Sequence, residues 1–275
     1  MDLQKVTSQS VGDYYDQMST FYALTWGDNL HVGYWFDKDD ETSFLDAQNR
    51  MTDMLIDRSL FKPGHRILDV GSGFGRPALR LAQKTGCDVL GINVSRAQIQ
   101  RANEFAQRDG LDDRVKFQYM DAMDMAFEDA SFDGAWAIES LFHVPDRPQV
   151  LRETWRVLRT GARMVIADAT AKADMTPEQS ALLREGFQLV SLISIEQYLE
   201  LMAAVGFEVV ESLNIGPNTT RSFTETVQAT LCNRDGLAAA YGEEFLTQIG
   251  QAWPMYLDVY AKKVGYWLFV VEKTG

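Results

Sequence analysis

At 275 residues, with 46% hydrophobic and 24% charged positions, the chain has the length and balance of one large globular domain able to bury a sizeable core. A formal net charge of −13 argues against nucleic acid as a partner, since neutralising phosphates takes a basic face. Two cysteines (Cys87 and Cys232) give no disulfide framework, the opening MDLQKVTSQS has no basic stretch followed by an apolar run, and no segment reaches membrane-spanning length, so a cytoplasmic enzyme with neither a membrane nor a nucleic-acid partner is expected.

In chain order, residues 1–60 read as helices interrupted by aromatics: Tyr14, Tyr15, Phe21, Tyr22 and Trp26, then Tyr34, Trp35 and Phe36. From about 65 to 170, short apolar runs at 66–70, 88–93, 115–120, 132–138 and 163–169 alternate with amphipathic segments, the pattern of βαβ units in a mainly parallel sheet. Pro77 suits the first turn after a glycine loop, and Ser95 with Gln98 forms a capping-box pattern that leaves Ile99, Ala102 and Ala106 on one face. Pro148 opens a helix holding Val150, Leu151, Trp155 and Leu158, with Gly161 just past its end. A further helix is predicted over 195–205 and strands over 207–213 and 265–272, which brings the sheet to seven. Residues 171–194 and 214–264 are too long and too polar for simple connections and read as a helical cap over an active site. The expected fold class is α/β: a seven-stranded, mostly parallel sheet with helices on both faces and a cap, in a single domain over 1–275.

The strongest local signal is Ile67-Leu68-Asp69-Val70-Gly71-Ser72-Gly73-Phe74-Gly75, a strand running into a glycine-rich turn before a helix. Glycines there let the backbone turn sharply and a ligand approach the main chain. A dinucleotide fingerprint starting at Gly71 needs Gly or Ala at position 76, where Arg76 stands, and the G-K-[ST] of a phosphate loop is absent. A ligand with an amino-acid group and an adenosine but no phosphate suits this turn better. Asp69 then either meets the ligand's amino group or caps the turn backbone.

Four ordered segments, LDVGSGFG (68–75), DVLGINVS (88–95), YMDAMDMAFEDASFD (119–133) and ESLFHVPD (139–146), resemble the motifs of the class I S-adenosylmethionine-dependent methyltransferases. NLHVGYW (29–35) is similar to the small-molecule branch of natural-product pathways, the rebeccamycin-type sugar O-methyltransferases above all, and the resemblance covers 11–170. It implies a Rossmann-like fold with a cofactor-covering helical segment (1–60), a cofactor-binding core (61–170), a cap (171–264) that includes strand 207–213, and a last strand within 265–275. It also implies S-adenosyl-L-methionine as cofactor, S-adenosyl-L-homocysteine as product and a small-molecule acceptor, and it is compatible with a homodimer. Carried onto this chain, Gly71, Ser72 and Gly73 line the methionine part of the cofactor. Asn93, where the family usually has an acidic residue, faces the ribose; Gln98 either joins it or serves as the cap partner of Ser95. Asp121 with Ala122 flanks the adenine, unless Asp121 is an ordinary loop residue, and Ala137 belongs to the same cofactor set. Tyr14 and His31 resemble positions near the carboxylate end, while Tyr14, Tyr22 and Trp35 either shield the sulfonium or belong to the core.

Methyl transfer from a sulfonium is an in-line displacement, so the protein supplies alignment and a dry pocket, and a hydroxyl acceptor is helped by a base. Of the three histidines, His65 reads as solvated and His31 lies in NLHVGYW, whereas His143 directly follows the fourth strand, where ligands bind in such sheets. His143 is the candidate base; the alternative is a structural histidine bonded to a backbone carbonyl. Asp168, ending the fifth strand, resembles an acidic residue at the acceptor and would orient the imidazole or bind an acceptor hydroxyl; Glu139 reads as support for the cofactor side. Phe142 stands where the similar sugar enzymes have the first of two histidines. A phenyl ring there favours an apolar acceptor, and beside O-methylation of a sugar, macrolide or similar product it leaves two alternatives: C-methylation of a prenyl-type alkene, or a cyclase that transfers no methyl. No metal site is read from three scattered histidines, and Asp37, Asp39, Asp40 and Glu41 read as a solvated loop. Phe187, Tyr198, Phe223, Trp253 and Tyr256 are the cap aromatics that would define the acceptor, if they are not core.

Overall fold

Two helices, α1 (Ser8–Thr25) and α2 (Phe44–Ser59), precede the alternating core of β1 (Arg66–Val70), α3 (Arg76–Thr85), β2 (Asp88–Asn93), α4 (Arg96–Arg108), β3 (Val115–Tyr119), β4 (Phe132–Ile138), α5 (Arg147–Val157) and β5 (Leu158–Ala171). Then come α6 (Pro177–Phe187), α7 (Ile195–Val205), β6 (Phe207–Asn214), α8 (Gly216–Thr219), α9 (Arg221–Cys232), α10 (Arg234–Lys263) and β7 (Val264–Lys273). The computed structural model describes residues 6–190 and 192–275; the opening MDLQK, part of the stretch read above as no secretory signal, and position 191, within the expected cap, lie outside the described residues. No helix among the described residues is long and apolar enough to cross a membrane.

Among the described residues seven strands form one sheet in the order β3-β2-β1-β4-β5-β7-β6, in which β7 pairs antiparallel with β5 and β6 and the other pairs are parallel. Side chains alternate across it. Ile67, Val165 and Ala167 enter the apolar layer under α2, α3 and α4, built with Met51, Leu55, Leu79 and Ala102. Leu68, Met164 and Ile166 enter the layer on the other face, closed by Val150 and Leu151 of α5 and by Tyr198 and Met202 of α7. This is the Rossmann-like architecture expected, with two departures. Helix α5 stops at Val157, and Leu158 already pairs with Phe132 before the register jumps to Gly134–Arg163, so Gly161 (φ 78°) sits in a bulge of β5 rather than past a helix end. The capping box at Ser95 is half made: its hydroxyl accepts from Gln98 N, while the Gln98 side chain turns to Asn93 instead of returning to the cap.

Helix α1 locks onto the sheet by its own polar residues. Asp16 accepts from Ser95 Oγ (2.6 Å) and Ala97 N (3.0 Å), capping α4 from outside. The segment after β6 reaches α1 from the other side: Asn233 donates to the Leu24 carbonyl (2.9 Å), and Tyr241 Oη accepts from Phe21 N (2.9 Å). Helix α10 is broken at Gly242 (φ 85°, ψ 163°), which lets its long second half turn over the sheet. Asp40 of the acidic run is engaged rather than merely solvated, bridging Arg50 (2.5 Å) and accepting from Phe36 N (3.0 Å).

Candidate active site

The chain leaves β1 for α3 on one face and β4 for α5 on the other, although β1 and β4 are neighbours, so the loops after them part at the C-terminal edge of the sheet. The cleft there spans about 1260 Å3, part of it open to solvent, between the ends of β1, β2 and β4 and helices α1, α6, α9 and α10. Gly71 (φ 80°) begins the turn, and a Cβ on it would stand 2.3 Å from that of Ser140, whose hydroxyl donates to the Val70 carbonyl at 2.5 Å. Only a hydrogen fits where the turns after β1 and β4 approach. Gly71 N and Ser72 N donate to the Ile92 carbonyl (2.9 and 3.1 Å), which clamps the turn onto β2.

Two polar side chains of this turn border the cleft. Among the described residues, Ser72 Oγ is buried without a hydrogen-bond partner. Asp69, 3% exposed, lines the cleft, and its carboxylate accepts nothing from the turn backbone among the described residues, so the turn-capping alternative is set aside. Burial pushes the Asp69 carboxyl up to about 7. At the end of β2, Asn93 donates to Gln98 Oε1 (2.7 Å) and accepts from Ser95 N (3.0 Å), which leaves the Gln98 amide nitrogen without a hydrogen-bond partner among the described residues. Asp121 Oδ1 accepts from Met123 N (2.9 Å), an ordinary loop contact, and both Asp121 and Ala122 border the cleft. Gly73 and His31 border it as well, yet both His31 ring nitrogens are engaged inside the protein, with the Val32 carbonyl (2.8 Å) and Thr52 Oγ1 (3.1 Å), and burial holds the ring down to about 4.

Three expected contacts lie elsewhere. Ala137, 1% exposed, belongs to the apolar layer under α5, and its neighbour Ile138 reaches the cleft instead. Tyr14 points away: its hydroxyl donates to the Gly186 carbonyl (2.7 Å) and meets Tyr22 Oη (3.0 Å). The reason is helical phase. Ser8, Val11, Tyr15, Tyr22 and Trp26 border the cleft from one face of α1, and Tyr14 is turned about 100° from Tyr15. Trp35 is core, stacked on Phe44 with its indole N–H on the Thr42 carbonyl.

Around His143 the geometry decides the tautomer. Its Nδ1 donates to the Gln188 carbonyl (2.9 Å), which leaves Nε2 as the acceptor for the Tyr15 hydroxyl (2.7 Å) at the cleft wall. The structural bond to a backbone carbonyl is thus present on one nitrogen, and the other meets the Tyr15 hydroxyl. Burial holds its ring down to about 4, so it stays neutral. Glu139, in the left-handed region (φ 51°), accepts from Val32 N (2.5 Å) and from Tyr266 Oη (2.7 Å), and burial pushes its carboxyl up to about 7. It staples the 29–35 segment to β7, a role in keeping with support rather than proton abstraction.

Asp168 does not reach the imidazole. It points to the α7 face with Met164 and Ile166, is 0% exposed, and accepts from Tyr198 Oη (2.7 Å), while Oδ1 has no hydrogen-bond partner. Burial pushes its carboxyl from 3.8 up to about 6 against the nearby Arg147 charge. A raised folded-state value means that the stability it contributes is complete below 3.8 and is lost as pH rises through 6. Asp168→Asn keeps an oxygen for Tyr198 and is expected to escape a loss of roughly 3 kcal/mol that the parent suffers across that window, read by denaturant melts at successive pH values. Parallel pH profiles for the two proteins would contradict this.

A doubly wound sheet with a glycine turn at its switch point is the architecture of α/β proteins that take nucleotide-like ligands at that edge. Residues 68–166 match the family model described as a methyltransferase domain. The chain is 36% identical to the (+)-O-methylkolavelool synthase of Herpetosiphon aurantiacus over 100% of its own length and 98% of that protein. It is 36% identical to the 27-O-demethylrifamycin SV methyltransferase of Amycolatopsis mediterranei, over 82% of this chain and 84% of the relative. The solved structure of the cyclase SpnF superposes with a TM-score of 0.84 at 29% identity, covering 98% of this chain and 97% of the other. The chain belongs to the methyltransferase family, as a class I S-adenosylmethionine-dependent enzyme. The residues present fit that cofactor: a Ser72 hydroxyl with no partner among the described residues, the buried Asp69 carboxylate at the cleft, the Gln98 amide and a turn with room only for glycine.

Proposed function

We propose that the enzyme transfers a methyl group to a hydroxyl oxygen of a small-molecule natural product, with His143 as the base and Tyr15 as its contact with the acceptor. The observation that carries this is the Gln188 carbonyl–His143–Tyr15 chain, which aims a neutral imidazole nitrogen through a phenol into the cleft. Bound there, S-adenosylmethionine supplies an activated methyl on a sulfonium and leaves as a neutral thioether. The acceptor proton passes to Tyr15 as Tyr15 gives its own to His143 Nε2, so no free phenolate is left in an apolar wall. The names of the two relatives, one carrying an O-methylated product and the other a 27-O-demethyl substrate, support oxygen as the target. In this reading the segment 1–60 and the core 61–170 hold the cofactor and the cap 171–264 covers the acceptor; two free cysteines, Cys87 and Cys232, accord with a cytoplasmic setting.

Incubation with methyl-labelled cofactor and a panel of alcohols and prenyl alkenes tests the assignment: label is expected on oxygen, and label on carbon would overturn it. A second reading, cyclisation without methyl transfer, is favoured by Phe142 at the cleft (ring centroids 4.3 Å from His143) and by the likeness to SpnF; it would show as converted acceptor carrying no label.

Asp69 would receive the cationic amino group of the cofactor. Asp69→Ala is expected to weaken cofactor binding by about 1–3 kcal/mol in calorimetry. Because its carboxyl titrates near 7 in the free protein, affinity should fall as pH drops below 7 and level off above it. Affinity independent of pH from 5 to 8 would remove Asp69 from that role.

A further inference from the structure

Where the cleft leaves the glycine turn, its wall becomes a chain of rings. Phe223 of α9 lies against Tyr260 of α10 (centroids 3.9 Å) and edge-on to Trp26 just after α1 (5.7 Å), and Phe187 at the end of α6 reaches Tyr260 at 6.1 Å. A second run joins Phe142, His143, Tyr15 and Tyr22 at 4.3, 5.2 and 5.3 Å. Among the described residues no lysine or arginine borders the cleft, whereas Asp69, Asp121 and Glu139 do. An acceptor bearing a phosphate or carboxylate would leave water for a site with carboxylates and no cation, which is strongly unfavourable. Polar partners among the rings are few as well. The Tyr15 hydroxyl is committed to His143 and the Tyr22 hydroxyl to Tyr14, which leaves the Tyr260 hydroxyl without a hydrogen-bond partner among the described residues. Such a wall serves one or two hydroxyls of an acceptor; the several of a sugar would be buried unpaired.

We propose, resting on the methyltransferase reading above, that the acceptor is an uncharged alcohol of low polarity, of terpenoid or polyketide type, which presents one hydroxyl to Tyr15 and lays its hydrocarbon along Phe187, Phe223 and Tyr260. Glycosides and anionic esters are rejected by the same wall. This departs from the sugar acceptor that the 29–35 segment suggested.

The test is competition on the protein saturated with S-adenosylhomocysteine: displacement of the neutral apolar dye N-phenyl-1-naphthylamine by geraniol, geranyl phosphate and methyl glucoside. Geraniol is expected to displace the dye, geranyl phosphate to compete about tenfold or more weakly, and methyl glucoside not to compete. Competition by the phosphate or the glucoside as strong as that of geraniol overturns the proposal, as does failure of both dye and geraniol to bind. Phe223→Asp places a carboxylate in the wall and should weaken geraniol about tenfold or more; unchanged geraniol affinity would put the alcohol elsewhere and overturn the proposal too. Affinity for S-adenosylhomocysteine, measured separately by calorimetry, reports both the fold of the variant and the cofactor assignment. A failed cofactor site is thereby distinguished from a failed acceptor class, and should the variant lose that affinity the unsubstituted protein's series decides alone.

Discussion

Replacing His143 by alanine is expected to lower kcat about 10²–10⁴-fold and to leave cofactor affinity nearly unchanged, the range that loss of a positioned general base produces. The split follows from where the ring sits. His143 touches Tyr15, Phe142 and the Gln188 carbonyl, and among the described residues it makes no hydrogen bond to the glycine turn. Its pH signature is as specific as the magnitude. Burial holds the imidazole down to about 4, so Nε2 remains an acceptor across the range where a free histidine titrates. With cofactor and acceptor saturating, kcat should stay level as pH falls from 8 to about 5 and decline only toward 4. An acid limb near 6.5 would mean a solvated imidazole and would contradict the buried pair. Asp69 acts in the other parameter: kcat/KM for the cofactor should fall below pH 7 while kcat does not. A His143→Ala enzyme with full kcat would remove the base assignment outright.

Gly71→Ala is expected to abolish measurable cofactor binding, the largest effect available at a single position on the cofactor side. Two costs combine. The left-handed backbone at φ 80° disfavours any side chain, by about 1–3 kcal/mol, and the new methyl would overlap the Ser140 Cβ at 2.3 Å. Relief requires the turns after β1 and β4 to separate, which breaks the Ser140–Val70 hydrogen bond and moves Asp69, Ser72 and Glu139 relative to one another. Combining Gly71→Ala with Ser140→Gly removes the clash and leaves the conformational cost, so partial recovery of binding in calorimetry is the expected double-mutant result. Unaltered binding in the single variant would falsify the cradle. Gly73 is the milder position, because a Cβ there meets only Leu30 Cδ1 at 3.3 Å.

How much of the site was legible before folding varies with the distance along the chain that each feature spans. The glycine turn was fully legible, since Asp69, Gly71, Ser72 and Gly73 are contiguous and their demands are steric and local. The placement of His143 was legible because the loop after a strand of a parallel sheet lies at its ligand-binding edge. What the ring bonds to was not: Tyr15 is 128 positions away and Gln188 is 45 away, and no motif joins them. A weaker signal for Tyr15 was present in the helical spacing of Ser8, Val11, Tyr15, Tyr22 and Trp26, which separates it from Tyr14. Ser140 carried no signal, because its importance is the absence of a side chain at Gly71.

Asp168 shows where reading along the chain reaches its end. Strand alternation groups it with Met164 and Ile166, yet which of the two faces turns from the imidazole depends on the side to which α5 and α7 cross. Taken alone, the order of residues determined the sheet, its cofactor turn and the class of chemistry, because each follows from periodicity and sterics within a few positions. The tertiary structure alone decided which aromatic of α1 meets His143, that the cleft wall carries rings and, among the described residues, no lysine or arginine, and that Asp168 serves α7. Those are matters of which distant segments converge, and convergence is set by the packing of whole helices against a finished sheet.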